Sequence, residues 1–173
     1  LNADEMVASG LVNGEVIVKN PFGATGLLAD LSVRDLHVLE VPVGNLSLNA
    51  ATRGDNNYDF DLGLAGKGIE LQLSGGYIAD TEGAQLDLAV NLERLEMEVL
   101  AGLSAGAIRD GSGYLSGSFE VAGTTNSPRY GGRLRFQDTE FKVSALNTVF
   151  ALDKQEIELD KSGVFLNQLT IRD

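Results

Sequence analysis

Apolar residues recur at every second position through most of the chain. Leu46, Leu48 and Ala50 alternate with Asn45, Ser47 and Asn49; Tyr58, Phe60, Leu62 and Leu64 alternate with Asp59, Asp61, Gly63 and Ala65. Ile69, Leu71 and Leu73 interleave with Glu70, Gln72 and Ser74, and Leu86, Leu88 and Val90 with Gln85, Asp87 and Ala89. A period of two belongs to a strand with one dry and one wet face, because successive side chains leave opposite sides of the pleat. The period returns in "GSFEVAGTTNSPRYGGRLRFQDTEF" (117 to 141), with Phe119 and Val121 before a polar break and Leu134 and Phe136 after it. That break holds Gly123, Pro128, Gly131 and Gly132.

Turn residues separate these runs: Asn13-Gly14, "RGDNN" (53 to 57), Gly66-Lys67-Gly68, Gly75-Gly76, "DTEG" (80 to 83), Asp110-Gly111, Asp153-Lys154 and "DKSG" (160 to 163). Gly, Asn and Asp tolerate the positive φ of tight hairpins. The spacing is too short for parallel crossovers, which need about a dozen residues. The pattern predicts about a dozen strands in an antiparallel meander.

One interval departs from the rhythm. In "NLERLEMEVLAGLSAG" (91 to 106), Leu92, Leu95, Val99 and Leu103 fit a helical face, while Leu95, Met97 and Val99 also fit a strand. The expectation is a strand end followed by a short helix near 97 to 105 that closes one end of the core. Lipid contact by this helix is disfavoured, because Glu93, Glu96 and Glu98 would repel an anionic surface.

An antiparallel sheet with one dry face must bury that face, and one short helix cannot cover a dozen strands. Three solutions follow: a sandwich, a closed barrel, or a sheet bent into a trough with an apolar lining. In the first two the apolar pattern is core; in the third it is a site for something apolar.

The charge narrows the partners. The 173 residues carry 13 basic and 25 acidic side chains, a formal net charge of -12. That opposes nucleic acid and anionic membrane surfaces, which need clustered Lys and Arg. No cysteine is present, so disulfides, thiolate metal sites and a cysteine nucleophile are excluded. No run reaches the roughly 18 apolar residues of a membrane span, and "LNADEMVASG" lacks the order of a signal peptide. The stretch "LTIRD" at the other end still alternates through Leu169 and Ile171, as an excerpt of a longer protein would.

Residues with chemical potential lack partners. "GLSAG" (102 to 106) matches a nucleophile elbow, but an elbow needs strand, turn and helix in an α/β sheet and a histidine downstream. The single histidine, His37, lies upstream in a strand-like run. "DNNYDFD" (55 to 61) lacks the order of a calcium loop, and Asp59 and Asp61 alternate with Tyr58 and Phe60 as a solvated strand face would. Arg129, Arg133 and Arg135 form the densest basic stretch, read as a polar strand face rather than a headgroup site. No catalytic residue, metal or cofactor is expected.

The stretch from Gly111 to Asp173 resembles the C-terminal domain of TamB-type proteins, the inner-membrane subunit of the translocation and assembly module, within the AsmA-like group. Gly113, Leu115, Gly117, Phe119, Val121 and Gly123 carry the spacing, followed by Pro128, then Gly132, Leu134 and Phe136, and a last strand into "IRD". Residues 1 to 92 resemble the repetitive β segments that precede that domain, 93 to 112 form the short helix and connection, and 113 to 173 begin the C-terminal-type segment.

The resemblance implies an all-β protein of the Gram-negative periplasm, with an inner-membrane anchor outside this stretch and an elongated U-shaped sheet with a greasy interior. It also implies phospholipid transport towards the outer membrane, support of outer-membrane protein assembly, and an Omp85-type (TamA-like) partner. The expected lining is Leu46, Leu48, Tyr58, Phe60, Leu62, Leu64, Ile69, Leu71, Leu73, Leu86, Leu88, Val90, Leu115, Phe119, Val121, Leu134, Phe136, Phe141 and Val143, with phospholipid acyl chains as occupants.

Burying sixteen methylenes is worth about 13 kcal/mol against water but almost nothing against a bilayer, so lipid could slide between the two. Two other readings remain open from the sequence: a scaffold that pairs with nascent outer-membrane strands at an open edge, and a β-sandwich binding module. An open sheet also implies edge-to-edge self-association.

Overall fold

The computed structural model describes residues 7–19, 26–54, 56–80, 83–160, 163–166 and 171–172. The alternating runs form β1 (Ala8–Lys19), β2 (Gly26–Val38), β3 (Val41–Gly54), β4 (Asn57–Gly66), β5 (Ile69–Ile78) and β6 (Gln85–Glu96). The helix α1 (Met97–Leu103) follows, then β7 (Ile108–Thr124), β8 (Ser127–Val143), β9 (Thr148–Leu152), β10 (Glu156–Asp160), β11 (Gly163–Leu166) and β12 (Ile171–Arg172). Leu169 lies outside the described residues, as do parts of the breaks at 53 to 57, 80 to 83 and 160 to 163.

β1 to β8 stand side by side in chain order, each antiparallel to the next. β9 and β10 then lie end to end along β8. Thr139 pairs with Leu152 and Arg135 with Glu156, one register across the interruption, and the Phe136 N–H donates to the Gln155 carbonyl at 2.8 Å between them. Asp153-Lys154 therefore bends the chain without reversing it. β11 pairs with β10 and β12 with β9, so twelve segments fill ten places in one open sheet.

Several expected turns lie inside strands. Asn13-Gly14 is within β1, Gly75-Gly76 within β5 and Asp110-Gly111 within β7. The polar break of 123 to 132 is a hairpin with only Thr125-Asn126 outside the strands; Gly123 belongs to β7, and Pro128, Gly131 and Gly132 belong to β8. The glycines at such places serve close approach between strands rather than reversal. At Gly75, φ is +149°, and a Cβ would overlap the Asp87 carbonyl oxygen and stand 2.9 Å from Leu88 Cα. Conversely, β2 turns into β3 at Leu39-Glu40, whose φ angles of 50° and 66° suit a two-residue hairpin despite the absence of glycine.

The helix ends two residues before the expected 105, and β6 runs through Glu96 before it begins. Seven residues are too few for a helix to hold by itself, so tertiary burial must stabilise it. Met97 and Val99 are the buried residues of α1, and Glu98 in its first turn favours the positive end of the helix dipole. Met97 joins a cluster with Leu92, Leu115, Phe136 and Leu152, while Val99 joins a second with Val43 and Ile69.

These two clusters measure the bend of the sheet. Five strand spacings separate β3 from β8, about 24 Å in a flat sheet, whereas a seven-residue helix is about 10 Å long. Yet α1 touches β3, β6, β7 and β8. The sheet therefore curls around the helix with its apolar face inward, and register shifts in β2, β5, β6, β7 and β8 near this end supply the bending.

Candidate apolar groove

Register turns the alternation into rungs that cross the sheet. One runs Val33, Leu46, Leu64, Leu71, Leu92, Gly117, Leu134 and Ile157, each directly opposite the next on its neighbouring strand. The next runs Leu31, Leu48, Leu62, Leu73, Val90, Phe119, Gly132 and Leu159. A third runs Ala50, Phe60, Gly75, Leu88, Val121 and Tyr130, and a fourth passes through Tyr58, Tyr77 and Leu86. At the helix end a short rung joins Ile69, Leu95, Leu115 and Phe136.

All the lining residues expected on β3 to β7, together with Leu134 and Phe136 of β8, therefore share one face. Phe141 reaches the same cluster as Phe136 although the two differ by an odd number of positions. A bulge at Asp138, with φ of 47°, supplies the extra residue. The Phe141 ring stacks with Phe150 at 5.6 Å and with Phe136 at 6.4 Å between centroids. Val143 stands at the end of β8 between Ile108 and Thr148.

Burial divides this face in two. Ile69, Val90, Leu115 and Phe136 are buried; Leu46, Leu48, Tyr58, Phe60, Leu62, Leu64, Leu71, Leu73, Leu86, Leu88, Phe119, Val121, Leu134, Phe141 and Val143 are half-buried. Among the described residues, only ten apolar side chains are buried, and eight of them belong to the two clusters at α1. Away from the helix, the apolar rungs lie side by side with no second layer over them among the described residues.

Leu31, Val33, Tyr77, Leu92, Leu95, Ile157 and Leu159 belong to the rungs without having been expected there. The alternation of Leu27, Ala29, Leu31 and Val33 was a legible signal for the first two. Leu92 and Leu95 were obscured by the bulge between them, which breaks the period of two while keeping both on one face.

The opposite face is polar and braced by local interactions. Arg133 and Arg135 of β8 pair with Glu156 and Glu158 of β10 at 3.0 to 3.8 Å. Asp59 pairs with Arg53 at 2.5 Å. Arg94 lies 4.2 Å above the Tyr114 ring, and the Tyr114 hydroxyl donates to Gln137 Oε1 at 2.9 Å. Near Asp59 a shallow depression of about 650 Å³ also includes Asp61, Ser74 and Asp87. It carries the carboxylates of the wet side of the pleat, and Phe60, Gly75 and Leu86 of the rungs also border it.

Ser104 of the "GLSAG" stretch is tied into the turn after α1. Its hydroxyl donates to the Ala101 carbonyl at 2.7 Å and accepts the Ile108 N–H at 2.9 Å. His37 lies on β2, with Nδ1 2.9 Å from the Asp35 carbonyl. Side chains on the apolar face can offer contact area and exclusion of water. No family model matches the chain, and neither the curated proteins nor the solved structures compared with it gave a match.

Proposed function

We propose that this chain is a segment of a TamB-type, AsmA-like envelope protein whose apolar trough carries phospholipid acyl chains across the periplasm and supports outer-membrane protein assembly. One observation carries the reading: apolar rungs cross the sheet mostly half-buried, and among the described residues only the α1 end is covered by a helix. A contiguous apolar face of that kind, left without a second layer among the described residues, supports an interaction site. Extended hydrocarbon matches it because the rungs are linear, continuous and nearly free of hydrogen-bonding side chains. The exchange needs no cofactor or metal, because acyl chains leave one apolar environment for another at little net cost.

The test is site-specific photo-crosslinking in the presence of phospholipid vesicles. A photoreactive side chain at Leu62 or Leu88 should label acyl chains; the same group at Asn49 or Asp61, on the other face, should not. Equal labelling of both faces, or none at either, would remove the groove as the lipid path.

A further inference from the structure

Inside the curl, polarity changes along the strands. At one end α1 packs Met97 and Val99 into the two apolar clusters. Leu71 touches both clusters yet is only half-buried, so it stands where the covered end meets the open rungs. Moving away from α1, β4 presents Leu64, Leu62, Phe60 and Tyr58, and opposite them β5 presents Leu71, Leu73, Gly75 and Tyr77. Three of the four tyrosines, Tyr58, Tyr77 and Tyr130, occupy the two rungs farthest from the helix, while Tyr114 lies on the other face. Tyrosine suits the place where hydrocarbon gives way to water, because its ring is apolar and its hydroxyl is not. The inward positions between the two ends of β4 and β5 carry no charge.

We propose that α1 is a length stop: a phospholipid tail lies along the strands with its methyl end against the α1 clusters and its glycerol end at Tyr58, Tyr77 and Tyr130. This rests on the reading of the trough as a lipid path and adds the direction and length of the tail it takes. Three rung spacings separate Leu64 from Tyr58, which is about 20 Å of strand. One leaflet holds its tails over roughly 15 Å, half of the hydrocarbon core. An extended tail of about sixteen carbons, rising about 1.25 Å per carbon for C–C bonds of about 1.5 Å, fills the distance. The helix end cannot take the head instead, because Leu92, Met97, Leu115, Phe136 and Leu152 would bury a phosphate without a partner. The rungs then run across the tails, so a lipid moves sideways along the sheet at constant depth.

Native mass spectrometry of the 173-residue chain reads the stop, after incubation with vesicles of unsaturated phosphatidylcholine doped with equal amounts of saturated lysophosphatidylcholines of graded tail length. Tails up to about sixteen carbons should be bound equally, because each methylene leaves one apolar environment for another. Beyond that limit each carbon left in water should cut occupancy about fourfold. Leu71→Phe raises the floor and should shorten the limit by about two carbons, and Leu71→Ala should lengthen it by about as much. Should Leu71→Ala fail to fold, the parent's limit and that of Leu71→Phe decide. A limit near sixteen carbons that moves in these directions upholds the stop. Occupancy independent of length, or a limit that ignores Leu71, overturns the stop and leaves the trough as a lipid path. No occupancy at any length overturns the lipid path itself, and the stop with it.

Discussion

Phe119 on β7 stands directly opposite Gly132 on β8, and the fit leaves no room for a second side chain. A Cβ on Gly132 would lie 2.5 Å from Phe119 Cα, 2.8 Å from its Cβ, and against the Ser118 carbonyl oxygen. The φ of Gly132 is +140°, where L residues are strained. Phe60 opposite Gly75 repeats the pairing in the adjacent rung of the same apolar face. In both cases an aromatic ring and a bare glycine share one cross-strand position.

Neighbouring glycines should therefore answer differently to the same change. Gly132→Ala should lower stability by about 2 to 3 kcal/mol through backbone strain and overlap. Gly131→Ala, which meets nothing within 4 Å and has no positive φ, should change it by no more than about 1 kcal/mol. Urea midpoints of the two variants provide the comparison, and equal midpoints would show that the β7–β8 ladder relaxes around the added methyl.

Leu71 and Leu88 face the same way but differ in what covers them. Leu71 packs against both clusters at the helix, whereas Leu88 belongs to neither. Leu71→Asp should cost several kcal/mol and unfold the chain, because the carboxylate is forced among Leu92, Ile69 and their neighbours. Leu88→Asp should leave a folded, protease-resistant protein that no longer retains lipid. Loss of folding at Leu88 would show that this part of the face is covered.

The helix is held by packing and by one serine. Met97→Ala removes a side chain that is 1% exposed and should cost about 2 to 5 kcal/mol. Ser104→Ala strips the Ile108 N–H of its acceptor and should cost about 1 kcal/mol. Thermal unfolding should rank the two in that order.

The arginine ladder should contribute little. Arg133 and Arg135 are 65% and 59% exposed in their side chains, so their pairs with Glu156 are screened by water. Glu156→Gln should lower stability by less than about 1 kcal/mol, with the difference shrinking further at high salt. A loss of several kcal/mol would make the ladder a structural clamp between β8 and β10.

The sequence by itself determined the class of fold and the identity of the dry face, because a strand's period of two is local and survives without knowledge of its neighbours. Leu46 to Leu64, Ile69 to Leu73, Leu86 to Val90 and Phe119 to Val121 were all legible in this way. Only the tertiary structure decided which breaks are turns. Gly14, Gly75 and Gly132 look like turn residues in sequence but answer to the backbone of the strand alongside, which no local pattern contains. The helix was legible as an ambiguity between two periods, and burial of Met97 and Val99 against opposite parts of the curled sheet resolved it. Whether an apolar face is core or groove likewise depends on what lies over it. That is set by how the whole sheet bends, because coverage is a property of distant strands brought together and alternation a property of residues two positions apart.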